Sequence, residues 1–235
     1  MVTTASQPIV LVPGLGCTPR LYAEQLPALW TFGPVTVADH RRADSMDTIA
    51  RQILAEAPPR FALCGLSMGG YIAFAILRAA PERVMKLALL DTGSRSDTPE
   101  ASERRKAGMA KVKAGEFDAV MEAFWPMLVH KNRLGDAALK RIVIGMAMTA
   151  GPEAFVRQQQ AIMTRPDSRP ELPAIRCPAL VLVGEGDELT PPALADEMVS
   201  LIPNSRLVKV PDSGHLSTLE KPEAVTEALV EWMQR

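Results

Sequence analysis

Six short aliphatic and β-branched runs recur along the chain, at residues 9–12, 35–38, 61–64, 87–90, 179–183 and 207–210, and helical patterns follow most of them. Strands that alternate with helices have few ways to close a core. Crossover helices make successive strands parallel, and helices then cover both faces of the sheet. The helical patterns lie over roughly residues 18–29, 45–57, 68–80, 192–201 and 222–233. Most open on a Ser, Thr or Asp cap or carry a Pro in the first turn. At 235 residues, 47% of them hydrophobic, the chain is long enough for one such domain with a sizeable core.

One interval breaks the rhythm. Between about residues 94 and 167 no strand pattern appears, only helical stretches punctuated by Gly115, Gly135 and Gly151-Pro152. An excursion of this kind between two parallel strands reads as an inserted helical lid. The expected organisation is an α/β core over residues 1–93 and 168–235 with a lid over 94–167, and the proline-rich stretch 165–173 as the return linker. The lid is apolar on one side and carries half of the chain's 12 methionines, side chains that adapt to apolar ligands of varied shape. Phe124, Trp125, Met146 and Phe155 are the candidates to line a substrate pocket there, although packing a lid onto its body is the commoner use of any one such residue.

The decapeptide FALCGLSMGG, residues 61–70, places a lone serine between a buried-strand run and a helical one. Ser67 therefore occupies a strand-to-helix corner sharp enough to strain its backbone. Gly65 and Gly69 remove side chains that would collide with the turn. The result is the pattern G-x-S-x-G of a nucleophile elbow, whose oxyanion site uses the backbone N–H of the next residue, here Met68. A second donor is expected from the loop PGLGCT after the first strand, where Gly14 and Gly16 admit a close approach. Leu15 N–H is the candidate.

A serine hydroxyl needs a base, and the base needs an acid to hold its tautomer. The chain has 3 histidines. His40 sits among arginines that disfavour its protonation, and His130 lies within the lid. Only His215 comes from a loop that a parallel sheet projects at the edge carrying Ser67. For the acid, Asp187 follows the penultimate strand and so neighbours the His215 loop. Asp91 ends the strand before the lid and is the reserve, and Asp212 is assigned to its own turn. The order Ser67, Asp187, His215 is that of an α/β-hydrolase.

A formal net charge of −1 with mixed signs gives no reason to expect nucleic acid or an anionic membrane as partner. The three cysteines, Cys17, Cys64 and Cys177, are odd in number, far apart and without metal-ligand spacing. With no signal sequence or membrane-spanning run legible, a cytoplasmic protein is expected.

The chain resembles the α/β-hydrolase family, and within it small esterases such as the pimeloyl-carrier methyl esterases and the 3-oxoadipate enol-lactone hydrolases. The likeness runs nearly the whole length through LVPGLG, GLSMGG, PALVLVGEGDELTPP and VPDSGHLSTLEKPEAV, in that order. It implies an eight-stranded sheet with a lid after the sixth strand, no cofactor or metal, and Ser67, Asp187 and His215 as the triad. Two departures stand out. The family usually has His-Gly where this chain has Pro13-Gly14, so support for the oxyanion loop must come from elsewhere. The chain also begins near the family's third strand, so a shortened, mainly parallel sheet of about six strands is expected.

The expectation is then a serine hydrolase that cleaves the ester, lactone or thioester of a small, largely apolar substrate through an acyl-enzyme. The alternative is a small-ligand-binding member of the superfamily that kept the pocket without the chemistry. Arg104-Arg105-Lys106 with Lys111 and Lys113 would suit docking of an acidic acyl carrier protein, as in the pimeloyl-carrier esterases; such a run is more often a solvated helix face.

Overall fold

The computed structural model describes residues 6–235; residues 1–5, the start of the segment considered above for a signal sequence, lie outside the described residues. Six strands, β1 (Ile9–Val12), β2 (Val35–Val37), β3 (Phe61–Leu66), β4 (Val84–Leu90), β5 (Ala179–Gly184) and β6 (Ser205–Val210), form one sheet in the order β2-β1-β3-β4-β5-β6. Every neighbouring pair is parallel. The six strands are those expected from the apolar runs, with bounds shifted by a few residues.

Side chains alternate across a strand, so each central strand feeds two cores. Val10, Val12, Phe61, Leu63, Val181 and Val183 join one cluster. Ile9, Leu11, Ala62, Cys64, Leu180 and Leu182 join the other. Helices α2 (Met46–Glu56), α3 (Met68–Ala79) and α8 (Pro192–Leu201) contribute to the first cluster. The second takes α1 (Leu26–Leu29) and α10 (Pro222–Gln234), with the one-turn α9 (Ser217–Glu220) just ahead of α10. The helix expected over residues 18–29 is broken into a 3-10 turn, Pro19–Tyr22, and the short α1. Pro27 has no N–H to donate, and its ring crowds a helix running in from residue 23. Gln25 fills the break, buried, with Nε2 donating to Thr218 O at 3.0 Å.

Between β4 and β5 the chain runs through α4 (Pro99–Lys113), α5 (Phe117–Leu128), α6 (Ala137–Ala150) and α7 (Pro152–Met163), with no strand among them. This helical insertion has a small apolar cluster of its own, in which the Phe117 and Phe155 rings meet edge to face at 5.5 Å. No helix of the described residues is long and apolar enough to cross a membrane.

From β1 the chain moves to β2 on one side, and from β2 it returns to β3 on the other. The switch in direction lies between β1 and β3, so their C-terminal loops diverge and leave a crevice. Those two loops are PGLGCT and the corner that carries Ser67.

Candidate active site

Ser67 is the single residue between β3 and α3, at φ 54° and ψ −116°. A non-glycine residue there carries strain of about 1–3 kcal/mol, held only by over-determined surroundings. Those surroundings are visible: Ser67 N–H donates to Leu90 O at 2.9 Å, and Ser67 O accepts from Gly70 N–H at 2.9 Å and from the Thr92 hydroxyl at 2.8 Å. A Cβ on Gly65 would be driven into the Gly69 carbonyl, and one on Gly69 into the Val12 carbonyl. The corner therefore exists only because both positions lack side chains.

His215 leaves the loop after β6 and is 4% exposed. Its Nε2 lies 2.8 Å from Ser67 Oγ, and its Nδ1 lies 2.8 Å from Asp187 Oδ2. An ionised carboxylate only accepts, so Nδ1 carries the proton and Nε2 is free to accept from the serine. Asp187 is fixed in turn: Oδ1 accepts from Leu189 N–H and Thr190 N–H, both at 2.9 Å, and Oδ2 from the Thr190 hydroxyl at 2.6 Å. Burial pushes the Asp187 carboxyl up, but His215 and the Thr190 contacts outweigh it and leave the group below its ordinary value. Burial likewise pushes His215 down, and the acids around it, Asp187 foremost and then Asp91 and Glu220, together more than offset this and raise it above the usual imidazole value.

Asp91, the reserve acid, does not reach the imidazole. It accepts from Gly184 N–H at 2.9 Å and from the Ser217 hydroxyl. Burial, then the nearby Asp187 charge, pushes it up to about 8, so at neutral pH the charged carboxylate next to the histidine is that of Asp187. Asp212 is exposed in a turn at φ 51°. Behind the histidine, Glu220 is 3% exposed and bridges two parts of the molecule. One oxygen accepts Gly214 N–H from the histidine loop and the other His130 N–H from just beyond α5, each at 2.8 Å.

The loop after β1 sits against the serine, since a Cβ on Gly14 would stand 3.4 Å from Ser67 Cβ. Leu15 N–H and Met68 N–H have no acceptor among the described residues. Two side chains pin the loop. Gln158 Oε1 accepts Gly16 N–H at 2.9 Å, and His40 Nε2 lies 2.9 Å from Gly14 O. A carbonyl accepts, so Nε2 is the protonated nitrogen. Burial holds His40 down to about 4, which keeps it neutral. His40 thus holds the glycine whose preceding residue is proline here and histidine in the family pattern.

The hydroxyl opens into a cleft of about 800 Å³, counting its mouth. Met121, Phe124 and Phe155 of the insertion and Tyr71, Leu189 and Leu216 of the body give it apolar walls. Trp125 and Met146, expected at the pocket, do not line it. Both are buried with Leu139 and Val143 in the core under the insertion. A buried indole must satisfy its N–H, and Trp125 Nε1 does so on Leu134 O at 3.1 Å. Met121 and Leu128 take its place on α5, and Val143 and Ala147 that of Met146 on α6. Cys17 also lines the cleft, but burial pushes its thiol up to about 12. The competing sulfur nucleophile is therefore protonated. Of the basic run on α4, Arg104 and Lys106 are exposed, whereas Arg105 turns inward to the cleft wall.

Sequence reasoning did not reach Thr190, Glu220, Gln158 or the use of His40. The only signal was the missing His-Gly dipeptide, which required some other support for the loop.

The alpha/beta hydrolase family matches residues 9–228. A pimeloyl-[acyl-carrier protein] methyl ester esterase of Nitrosomonas europaea is 30% identical over 189 residues, 77% of this chain and 74% of that protein. Among solved structures, a thermophilic esterase from Thermogutta terrifontis in its malate-bound form is 32% identical, with a TM-score of 0.88 over 99% of this chain and 91% of its own. An enol-lactonase from Burkholderia xenovorans is 25% identical, with a TM-score of 0.89 over 100% and 94%.

Proposed function

The chain belongs to the alpha/beta hydrolase family, and from that premise we propose that it is a serine esterase hydrolysing a small carboxylic ester or lactone through an acyl-enzyme. The observation that carries the proposal is the unbroken hydrogen-bonded line from Ser67 Oγ through His215 to Asp187, two contacts of 2.8 Å in a buried setting. The relatives' names, an ester esterase and an enol-lactonase among them, support the same reaction class.

In the first half-reaction Ser67 Oγ attacks the carbonyl carbon as His215 Nε2 takes its proton. The new imidazolium is steadied by Asp187, and the oxyanion is held by the Leu15 and Met68 N–H groups. Collapse expels the alcohol, which takes the proton back from Nε2. Water then attacks the acyl-enzyme with His215 again as base, and Ser67 is restored. The insertion acts as a lid: its phenylalanines cover the acyl group and exclude bulk water, which strengthens the oxyanion contacts.

Short p-nitrophenyl esters are expected to be turned over, and a fluorophosphonate probe is expected to label Ser67, read by peptide mass spectrometry. A folded protein inert to both would end the proposal.

The contact from His40 gives a second test. His40→Ala is expected to lower kcat roughly tenfold with KM little changed, a smaller loss than the 10²–10³ that follows removal of a direct oxyanion donor. Steady-state kinetics on one ester measure it. An unchanged kcat would mean that the loop holds its shape without the imidazole.

A further inference from the structure

We propose that Arg105 makes the cleft selective for esters whose acyl part ends in a carboxylate; the inference rests on the hydrolase proposal above and names the substrate class of the same site.

The cleft wall is apolar apart from a few groups, and among the described residues His215 and Arg105 are the ones lining it that carry a positive charge when protonated, with no Asp or Glu beside them in the lining. A cation at an apolar wall demands a reason, because a charge taken even partly out of water, here with a side chain 23% exposed, is costly unless it is paired.

Part of the reason is Asp97, its side chain 3% exposed, which receives Arg105 Nε at 2.7 Å. Asp97 is already taken, however: Arg165 Nη1 donates to its other oxygen at 2.6 Å. Burial pushes the Asp97 carboxyl up and the two guanidiniums pull it below its ordinary value, so it is ionised. Two guanidiniums sharing one carboxylate leave the cluster with a surplus positive charge. Neither has a second carboxylate within ion-pair distance among the described residues.

The two arginines differ in where they stand, since Arg105 lines the cleft and Arg165 does not. Arg165 also donates to Arg95 O and Ile162 O, and it stacks on the Tyr71 ring at 4.2 Å. Arg105 makes one further good contact, Nη1 to Gln159 Oε1 at 2.8 Å, and a long one, Nη2 to Asp97 Oδ1 at 3.5 Å. A guanidinium has five N–H groups, so Arg105 retains unpaired donors as well as the surplus charge. Planar forked donors at a low-dielectric wall match a carboxylate. The opening at Ser67 would take the scissile carbonyl, the phenylalanine wall the methylene chain, and Arg105 the anionic end.

The test compares mono-p-nitrophenyl esters of dicarboxylic acids of increasing length with their methyl-capped, neutral counterparts. At one chain length or more the wild type is expected to prefer the free carboxylate. Arg105→Gln is expected to lower the charged-to-neutral ratio of kcat/KM at least tenfold, chiefly through KM of the charged ester. Arg105→Lys should restore part of it, and Asp97→Asn, which removes the counter-charge, should raise it. A ratio that Arg105→Gln leaves unchanged, or that falls alike in Asp97→Asn and Arg105→Gln, would overturn the proposal.

Calorimetric binding of glutarate to Ser67→Ala reads the anion site without chemistry and is expected to weaken at least tenfold when Arg105→Gln is added; equal binding would also count against it. A wild type inert to all esters with this last result intact would remove the hydrolase proposal and keep the anion site. Charge-blind hydrolysis would do the reverse.

Discussion

Ser67→Ala is expected to lower kcat for short esters by about 10⁵–10⁶-fold and to abolish fluorophosphonate labelling, with the fold retained. Alanine keeps the backbone at this corner and deletes only Oγ, the atom 2.8 Å from His215 Nε2. The same position separates chemistry from strain. Ser67 sits at φ 54°, and glycine enters that region without steric cost. Ser67→Gly is therefore expected to be equally inactive yet more stable than Ser67→Ala by about 1 kcal/mol. Denaturant midpoints at matched slope would measure the difference. Equal midpoints would mean that the corner stores no strain, and appreciable turnover in Ser67→Ala would put the nucleophile elsewhere.

Asp187→Asn is expected to cost about 10⁴-fold in kcat/KM. An amide can turn its NH₂ toward Nδ1, which moves the imidazole proton to Nε2 and leaves no lone pair for the serine proton. The variant also has a pH signature. His215 acts as a base only when neutral, so activity falls as pH drops through its pKa. In the wild type the surrounding acids, Asp187 foremost, lift that pKa above its ordinary value of 6.5 against burial, so the acid limb should have its midpoint above 6.5. Without the carboxylate, burial pulls the other way, and the limb of the residual activity should move to lower pH. A wild-type limb centred well below 6.5 would contradict the pairing.

The topology and the meeting of Ser67, Asp187 and His215 were legible in the sequence for one physical reason. Parallel strands joined by helices present all their C-terminal loops at one edge, so Ser67, Asp187 and His215, each just past an apolar run, had to share a rim. The glycines around Ser67 were equally readable, because the collision they avoid is local. Contacts that depend on how distant side chains turn were not. His40 reaches Gly14 across 26 residues and Gln158 reaches Gly16 across 142, and no spacing rule links either pair. Trp125 was misplaced because an apolar helix stripe has two edges, and the indole's need for an acceptor chose the one near Leu134. Arg105 looked like one more cation in an exposed run until its turn of α4 brought it over Asp97.

Glu220 carries a mechanical consequence. Because its two oxygens tie the histidine loop to the chain just past α5, the two cannot part without stranding a buried carboxylate oxygen, at a cost of about 1–3 kcal/mol. That junction is a fixed pivot. The aim of the imidazole is therefore coupled to the chain just past α5, and a change there would be felt at His215.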